Sequence, residues 1–388
     1  MLAQNKKKIF LISCARSDFD LLNPLYASLK KNNTFNASLI CCGSILSKEY
    51  GYDKSTLKKS QKKIIFINNK IKNNERNNII TANYKMNLGL FNFLKKGNPD
   101  LCVILGDRIE TINIAIVIKI LNIPIAHLHG GESTEGVYDD YWRHAITKIS
   151  NLHFVSNNQY KKNLIKMGEQ KKNIYLVGAY GIENTKKLNK KFYNKNFFME
   201  KHNFIFNKLN FLVTFHSNTF DVKNNIKYFK NIIGALLKIK NSNIFISIPG
   251  YDLGSENILK FLSNKSIKNN KRIFQFSSIG YEKYLSLAKN CDIVLGNSSS
   301  GIIEIPYLNI PVINIGSRQN GRIKPNLVFD STYEKNKIYS LIIKILKLIQ
   351  LNRLPYNNKI YGDGKSSQKT IKILKSINFT RINKKKFF

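Results

Sequence analysis

Three short segments concentrate side chains able to move protons. GDRIE places Asp107, Arg108 and Glu110 directly after the apolar run LCVIL. HLHGGE puts His127 and His129 on one face of an extended segment, because alternate residues of a strand point the same way. Its Gly130-Gly131 pair lets the backbone turn tightly before Glu132. DDYWRHAITK opens a helix, with Asp139 and Asp140 suited to its first turn and Arg143 and His144 about one turn later. Carboxylates crowded together do not titrate alike, since repulsion and burial separate them into an acid and a base. The chemistry open to such a set is general acid–base catalysis.

Each piece also has a plainer reading. Asp139 or Asp140 alone reads as a helix cap, Glu110 and Arg143 as surface charges, and His153, inside an apolar run, as a core histidine. His127 and His129 could share a metal ion, but no third and fourth ligands stand at metalloenzyme spacing, so no metal is expected. What favours catalysis is the density of ionisable groups on three neighbouring segments.

A second set lies further along. VTFHSNT places His216 just beyond a strand, and VLGNSSSGIIE places Ser298, Ser299 and Ser300 before a helix, where free N–H groups and hydroxyls can hold an anion such as phosphate. Gly296 and Gly301 permit close approach, and Glu304, one turn into the helix, could accept the two hydroxyl donors of a ribose. PVINIGSRQNGR adds Arg318 and Arg322 after another strand. The plain alternative for GNSSSG is an ordinary capped helix.

The elements that position these residues follow from hydrophobic periodicity. Short apolar runs at Ile9–Cys14, Ala37–Cys42, Ile64–Ile67, Leu101–Leu105, Ile125–Leu128, His153–Val155 and Ile174–Val177 alternate with segments of helical period. The pattern weakens through the polar stretch Asn184–Lys208. It restarts at Phe211–Phe215, Ile244–Ile248, Ile273–Phe276, Ile293–Leu295 and Val312–Ile315. Near-continuous apolar strands alternating with helices mean parallel sheets covered on both faces. We expect an α/β chain of two Rossmann-like, doubly wound domains, residues 1–182 and 183–365, facing a cleft. A helix and basic tail at 366–388 would pack back on the first domain. Ligands of such sheets bind beyond the carboxyl ends of the strands, where the unusual residues cluster.

Composition bounds the partners. A net charge of +39 would suit nucleic acid or an anionic membrane. The lysines are spread over nearly every predicted surface helix among many Asn and Ile residues, and neither a basic stripe nor a face of stacking aromatics stands out. Neither nucleic acid nor membrane is therefore expected as a partner, and Lys384, Lys385 and Lys386 read as a solvated end. The five cysteines sit in or beside apolar runs without framework or zinc-like spacing, as in a reducing cytoplasm. The opening KKKIFLISCA has too short an apolar stretch for a signal, and Ile112–Ala126, interrupted by Lys119, is too short to span a bilayer. A cytoplasmic protein is expected. Apolar helices exposed on the first domain would suit a homodimer or homotetramer.

In order along the chain, GDRIE, HLHGGESTEG, DDYWRHAITKISNLHF, GNSSSG and GSRQNGR resemble the hydrolysing UDP-N-acetylglucosamine 2-epimerases, with similarity from Ile9 to about Phe329. The resemblance implies a GT-B type fold, with UDP held mainly by the second domain and the sugar facing the first. It implies conversion of UDP-GlcNAc and water to ManNAc and UDP through a 2-acetamidoglucal, for sialic or other nonulosonic acids. By the same resemblance, Asp107, Glu132 and Asp139 or Asp140 are the catalytic carboxylates. Arg16 is a nucleotide- or sugar-contacting arginine, His216 a nucleotide-side histidine, Ser298 and Ser299 the diphosphate cradle and Glu304 the ribose ligand; Arg318 and Arg322 form the basic turn beyond. Arg108, His127, His129, Arg143 and Ser300 complete the expected substrate-binding set. No cofactor is implied, and the first strand lacks a G-x-G-x-x-G turn. One departure bears on the sugar: Ile45 stands where the family commonly has histidine, and Asp53 where it often has threonine. The same chemistry on UDP-N,N'-diacetylbacillosamine is the nearest alternative. A GT-B glycosyltransferase, which would pass the sugar to an acceptor, and a non-hydrolysing epimerase, which would return UDP-ManNAc, are further ones.

Overall fold

A computed structural model describes residues 6–46, 57, 64–68, 76–188, 192–250, 254–356, 359–382 and 385; Asp53, Lys384 and Lys386 lie outside this set. Two compact units form, one from residues 1–132, 139–184 and 361–388, the other from 133–138 and 185–360. The segment 133–138 thus belongs with the second unit although it lies between Glu132 and Asp139. Glu135 N–H donates to the Asn320 carbonyl at 3.1 Å. Gly136 lies so close to the Ser317 carbonyl that a Cβ would stand 2.5 Å from it.

The first unit is built on strands β1 (Lys7–Ser13), β2 (Phe35–Cys41), β3 (Ile64–Phe66), β4 (Leu101–Leu105), β5 (Ile125–Leu128), β6 (Leu152–Val155) and β7 (Ile174–Leu176). Their order is β3-β2-β1-β4-β5-β6-β7, and every pairing is parallel. β4 shows why its sequence is apolar throughout. Leu101, Val103 and Leu105 pack with Phe19, Leu22 and Tyr26 of the helix Arg16–Lys30. Cys102 and Ile104 point the other way, onto Leu90 and Leu94 of Arg76–Gly97 and Ile114 and Ile118 of Ile109–Ile120. Two covered faces need two apolar sets on one strand.

The C-terminal segment belongs to this unit. The helix Ser366–Ser376 places Leu374 in the core beneath Arg16–Lys30, and Lys7 Nζ donates to the carbonyls of Leu374, Lys375 and Ile377 at its end. Lys385 was expected to be solvated, and is not. Its ammonium donates to the Thr147, Lys148 and Ser150 carbonyls at 3.0, 2.9 and 2.8 Å and pairs with Glu169 at 2.6 Å. The last carbonyls of a helix lack partners within it and attract a cation.

The second unit carries β8 (Leu209–Thr214), β9 (Ser242–Ser247), β10 (Ile273–Phe276), β11 (Ile293–Gly296), β12 (Val312–Ile315) and β13 (Val328–Ser331). Their order, β10-β9-β8-β11-β12-β13, is again parallel throughout. The edge strand β13 was not anticipated, because VFDS is short, half polar and only partly buried. The polar stretch before β8 holds a helix, Lys195–His202, which buries Phe198 and is capped by the Asn194 side chain accepting Phe197 N–H at 3.1 Å. The five cysteines are buried and unpaired. Among the described residues no helix is long and apolar enough to cross a membrane. In both sheets the strand order reverses between the first and fourth strands, β1 and β4 or β8 and β11, which marks where ligands of such sheets bind.

Candidate active site

At the first reversal the turns after β1 and β4 interlock. Arg16, partly exposed, begins the helix behind β1, and Asp18 two residues on is buried: its Oδ2 accepts Ala15 N–H and the Cys14 thiol, both at 3.2 Å, and its Oδ1 accepts the Ser17 hydroxyl at 3.2 Å. Cys14 Sγ in turn lies 3.3 Å from Thr111 Oγ1 behind β4. Burial pushes the Asp18 carboxyl up to about 6, against the pull of Arg108. Sequence reading passed over Asp18; its signal was an acidic residue in the first turn of a helix that follows a strand. Arg108 keeps a partly open side chain and stands 3.6 Å from Glu110, which is buried and so is not a surface charge.

Arg143 organises the carboxylates. Its guanidinium is buried, not a surface charge, and donates to Asp107 Oδ2, to Asp140 Oδ1 and, at 3.0 Å, to the Glu132 carbonyl. It thereby gathers the ends of β4 and β5 and its own helix, Asp139–Ile149. Asp107 and Asp140 leave about a fifth of their side chains exposed, 23% and 20%, so each has an edge to offer. Asp139 is half-buried beside them, and burial holds His144 below its ordinary value.

Two expected substrate contacts are corrected here. Arg143 is consumed by protein groups and acts on the carboxylates. His127 is wholly buried: Nε2 donates to the Gly106 carbonyl at 2.8 Å, and Nδ1 accepts the Thr147 hydroxyl at 3.3 Å. Burial brings it down to about 3, so it is neutral and ties β5 to the turn after β4. With both nitrogens taken it can serve neither substrate nor metal. His127 and His129 also part company, because β5 ends at Leu128 and His129 turns into a left-handed conformation with φ +66°. His129 Nδ1 lies 2.8 Å from Glu132 Oε1, which also accepts the Ser156 hydroxyl at 3.0 Å. Gly131 that follows has φ +78°, and a Cβ there would stand 2.6 Å from the Tyr160 carbonyl. His153 is the core histidine expected, bonded at 2.9 Å to Glu169. Ile45 is fully buried in the core under β1 and β2, so this position presents no polar side chain.

The second unit has a hydroxyl chain at its own reversal. Ser298 and Ser300 hydroxyls lie 3.0 Å apart, Ser300 Oγ is 3.2 Å from Tyr284 Oη, and Tyr284 Oη is 2.9 Å from Thr214 Oγ1. Ser299 is exposed at the start of the helix Ser300–Tyr307. A small pocket here is lined by Thr214, Tyr284, Gly296, Ser298, Gly301 and Asn314. Gly296 does its work against protein, since a Cβ would fall 1.9 Å from the Thr214 carbonyl and force β8 and β11 apart. Asn297 is a buried hub: it accepts His216 N–H at 2.7 Å, donates to the His216 carbonyl at 2.8 Å, and its own carbonyl takes Arg318 Nη1 at 3.2 Å and Gln319 Nε2 at 2.8 Å. The arginine turn is thus bonded to the serine turn. Arg322 is half-buried, and Glu304 is buried in the second turn of the helix. Asn297, Gln319 and Tyr284 were missed by sequence reading; an Asn directly after an apolar strand was the available signal for the first.

The profile of the UDP-N-acetylglucosamine 2-epimerase family matches residues 27–375, past the Phe329 limit of the sequence resemblance. The chain is 35% identical over 333 residues to the hydrolysing GDP/UDP-N,N'-diacetylbacillosamine 2-epimerase of Campylobacter jejuni, covering 84% of this chain and 85% of that one. It is 31% identical to polysialic acid biosynthesis protein P7 of Escherichia coli, covering 90% of each. The crystal structure of the Methanocaldococcus jannaschii UDP-GlcNAc 2-epimerase in complex with UDP-GlcNAc and UDP shares the fold, with a TM-score of 0.76, 22% identity and coverage of 95% and 99%.

Proposed function

This chain belongs to the UDP-N-acetylglucosamine 2-epimerase family, and from that premise we propose that it hydrolyses a UDP-linked 2-acetamido sugar with inversion at C2. Two carboxylates with open edges, Asp107 and Asp140, held on one buried guanidinium at the strand ends, carry the reading. The C2 hydrogen is scarcely acidic, having no carbonyl beside it. Elimination overcomes this: as the C1–O bond to UDP breaks, positive charge at C1 loosens the C2 proton. The C–H electron pair becomes the C1–C2 double bond of a 2-acetamidoglucal. Water then adds its oxygen at C1 while a proton reaches C2 from the opposite face. Two faces need two groups, and Asp107, Asp139 or Asp140, and Glu132 share the transfers. Ser298 to Ser300, Arg318, Arg322 and Arg16 stabilise the departing diphosphate, with His216 on the nucleotide side and Glu304 on the ribose; such electrostatic help often dominates catalysis.

With UDP-GlcNAc the products are ManNAc and UDP, consistent with a role in sialic or related acid synthesis. A second reading, the same reaction on UDP-N,N'-diacetylbacillosamine, is favoured by the 35% identity to the Campylobacter enzyme that bears that substrate's name. The test is incubation with each nucleotide in heavy water, followed by proton NMR. Free 2-epimer with deuterium at C2 together with released UDP is expected from one of them. A 2-epimer still bearing UDP would refute hydrolysis, and no turnover of either would refute the reading.

A further inference from the structure

The carboxylate of Glu132 is poorly placed to meet a sugar. Its side chain is 2% exposed, and Oε1 is already engaged by His129 and the Ser156 hydroxyl. The imidazole of His129 is 9% exposed and uses only Nδ1 on this carboxylate. We propose that His129, positioned by Glu132, is the group that exchanges a proton with C2; the inference rests on the 2-epimerase reading and refines the role given to Glu132.

Two further observations support it. The first is backbone cost. Eight described residues other than glycine have positive φ; seven, six asparagines and Lys359, are exposed, and His129 is the buried one. Asparagine tolerates this conformation through local hydrogen bonds. A histidine buried in it costs on the order of 1–3 kcal/mol. A continued strand would send residue 129 the way His127 points; the reversal sends its ring to Glu132. Strain of this kind persists where the surroundings enforce it, and it clusters at functional sites.

The second is the ring itself. A carboxylate on Nδ1 fixes the proton there in the neutral imidazole and leaves Nε2 as a bare acceptor. His129 Nε2 is buried and has no hydrogen-bond partner among the described residues. His127, two residues earlier, has both nitrogens satisfied, so the neighbourhood can supply partners. An oriented imidazole backed by a carboxylate is the arrangement of a general base. The Ser156 hydroxyl fixes the carboxylate in turn, and the Tyr180 ring, 5.9 Å away, flanks the imidazole. In the step proposed, Nε2 takes the C2 proton, the C–H pair forms the C1–C2 double bond, and UDP leaves with the C1–O pair. The proton returned from the opposite face comes from the Asp107–Asp140 side.

His129→Gly is the informative variant, because glycine adopts positive φ without strain and leaves a hole the size of the ring. We expect turnover to fall about 10²- to 10⁴-fold, UDP affinity by calorimetry to stay within about threefold, and added imidazole to restore turnover in a saturable way. Glu132→Gln should lower kcat with little change in KM and keep UDP affinity. Turnover of His129→Gly within about tenfold of the parent, or a loss that imidazole does not restore, overturns the inference while the parent's activity keeps the 2-epimerase reading intact. A parent protein that turns over neither sugar nucleotide overturns both.

Discussion

Replacing Arg143 by methionine tests the organisation of the site without touching its carboxylates. The guanidinium is 1% exposed, and it holds two carboxylates and a backbone carbonyl. Removing one partner of a buried ion pair typically costs about 3–5 kcal/mol, because the remaining charge is stranded. Here Asp107 and Asp140 are 23% and 20% exposed and can draw in water, which places the cost near the lower end, about 3 kcal/mol. With a urea slope of about 2 kcal/mol per molar, the midpoint should fall by about 1.5 M. The single tryptophan of the chain, Trp142, adjoins Arg143 on the same helix, so its fluorescence reports this unit directly. Adding Asp140→Asn should recover about 1 kcal/mol, since one of two stranded like charges is gone. A midpoint within about 0.3 M of the parent, or a double variant no better than the single, would refute the assignment of Arg143 as the clamp on these carboxylates.

Four more outcomes follow from the same structure. Burial alone would raise the Glu169 carboxyl, but hydrogen bonds from His153 and Lys385 bring it down to about 2 from 4.5, so its stabilising contribution is present above about 4.5 and lost as pH falls toward about 2. Glu169→Gln should therefore flatten the acid-unfolding profile, and Lys385→Met should lower stability by about 2 kcal/mol at neutral pH, read from the urea midpoint. Burial raises Asp18 to about 6 from 3.8, so its contribution is complete below about 3.8 and lost as pH rises through about 6. Asp18→Asn should shrink the loss of melting temperature between about pH 5 and about pH 8; an unchanged loss would show that another group titrates. Tyr284→Phe removes the hydroxyl linking Thr214 to Ser300 and should weaken UDP binding about tenfold by calorimetry, whereas unaltered affinity would place UDP elsewhere.

Most of the sheet framework was legible because its strands are buried on both faces, and burial writes itself into sequence as apolar runs. β4 is the clearest case: its five residues feed two cores, and its limits were read without error. β13 escaped because an edge strand needs apolar residues on neither face throughout. The candidate site was legible as composition but not as bonding. Arg143 and His127 have the residue types of substrate ligands. What makes them internal fasteners is tertiary: a guanidinium that meets strand ends from β4 and β5, and an imidazole caught between Gly106 and Thr147. Lys385 shows the same limit, since nothing in a lysine-rich tail marks an ammonium that caps a distant helix.

The two units repeat one strand order and reverse it at the same place, yet the turns there carry opposite chemistry. After β1 and β4 stand Asp18, Asp107 and Glu110, with Arg143 spent on restraining the negative charge. After β8 and β11 stand hydroxyls, with the arginine turn after β12 bonded to them through Asn297 and Glu304 drawn back into its helix. Parallel strands followed by helices supply at each reversal a set of free N–H groups suited to an anion. The second unit adds to that bias and the first works against it. Opposing it costs stability, which shows in an Asp18 carboxyl raised to about 6. It gains what an anion site cannot offer: carboxyl groups gathered at one set of strand ends. A reaction that expels a diphosphate and moves a proton on and off carbon needs both kinds of turn, and a duplicated fold can supply them by changing only the residues that follow its strands.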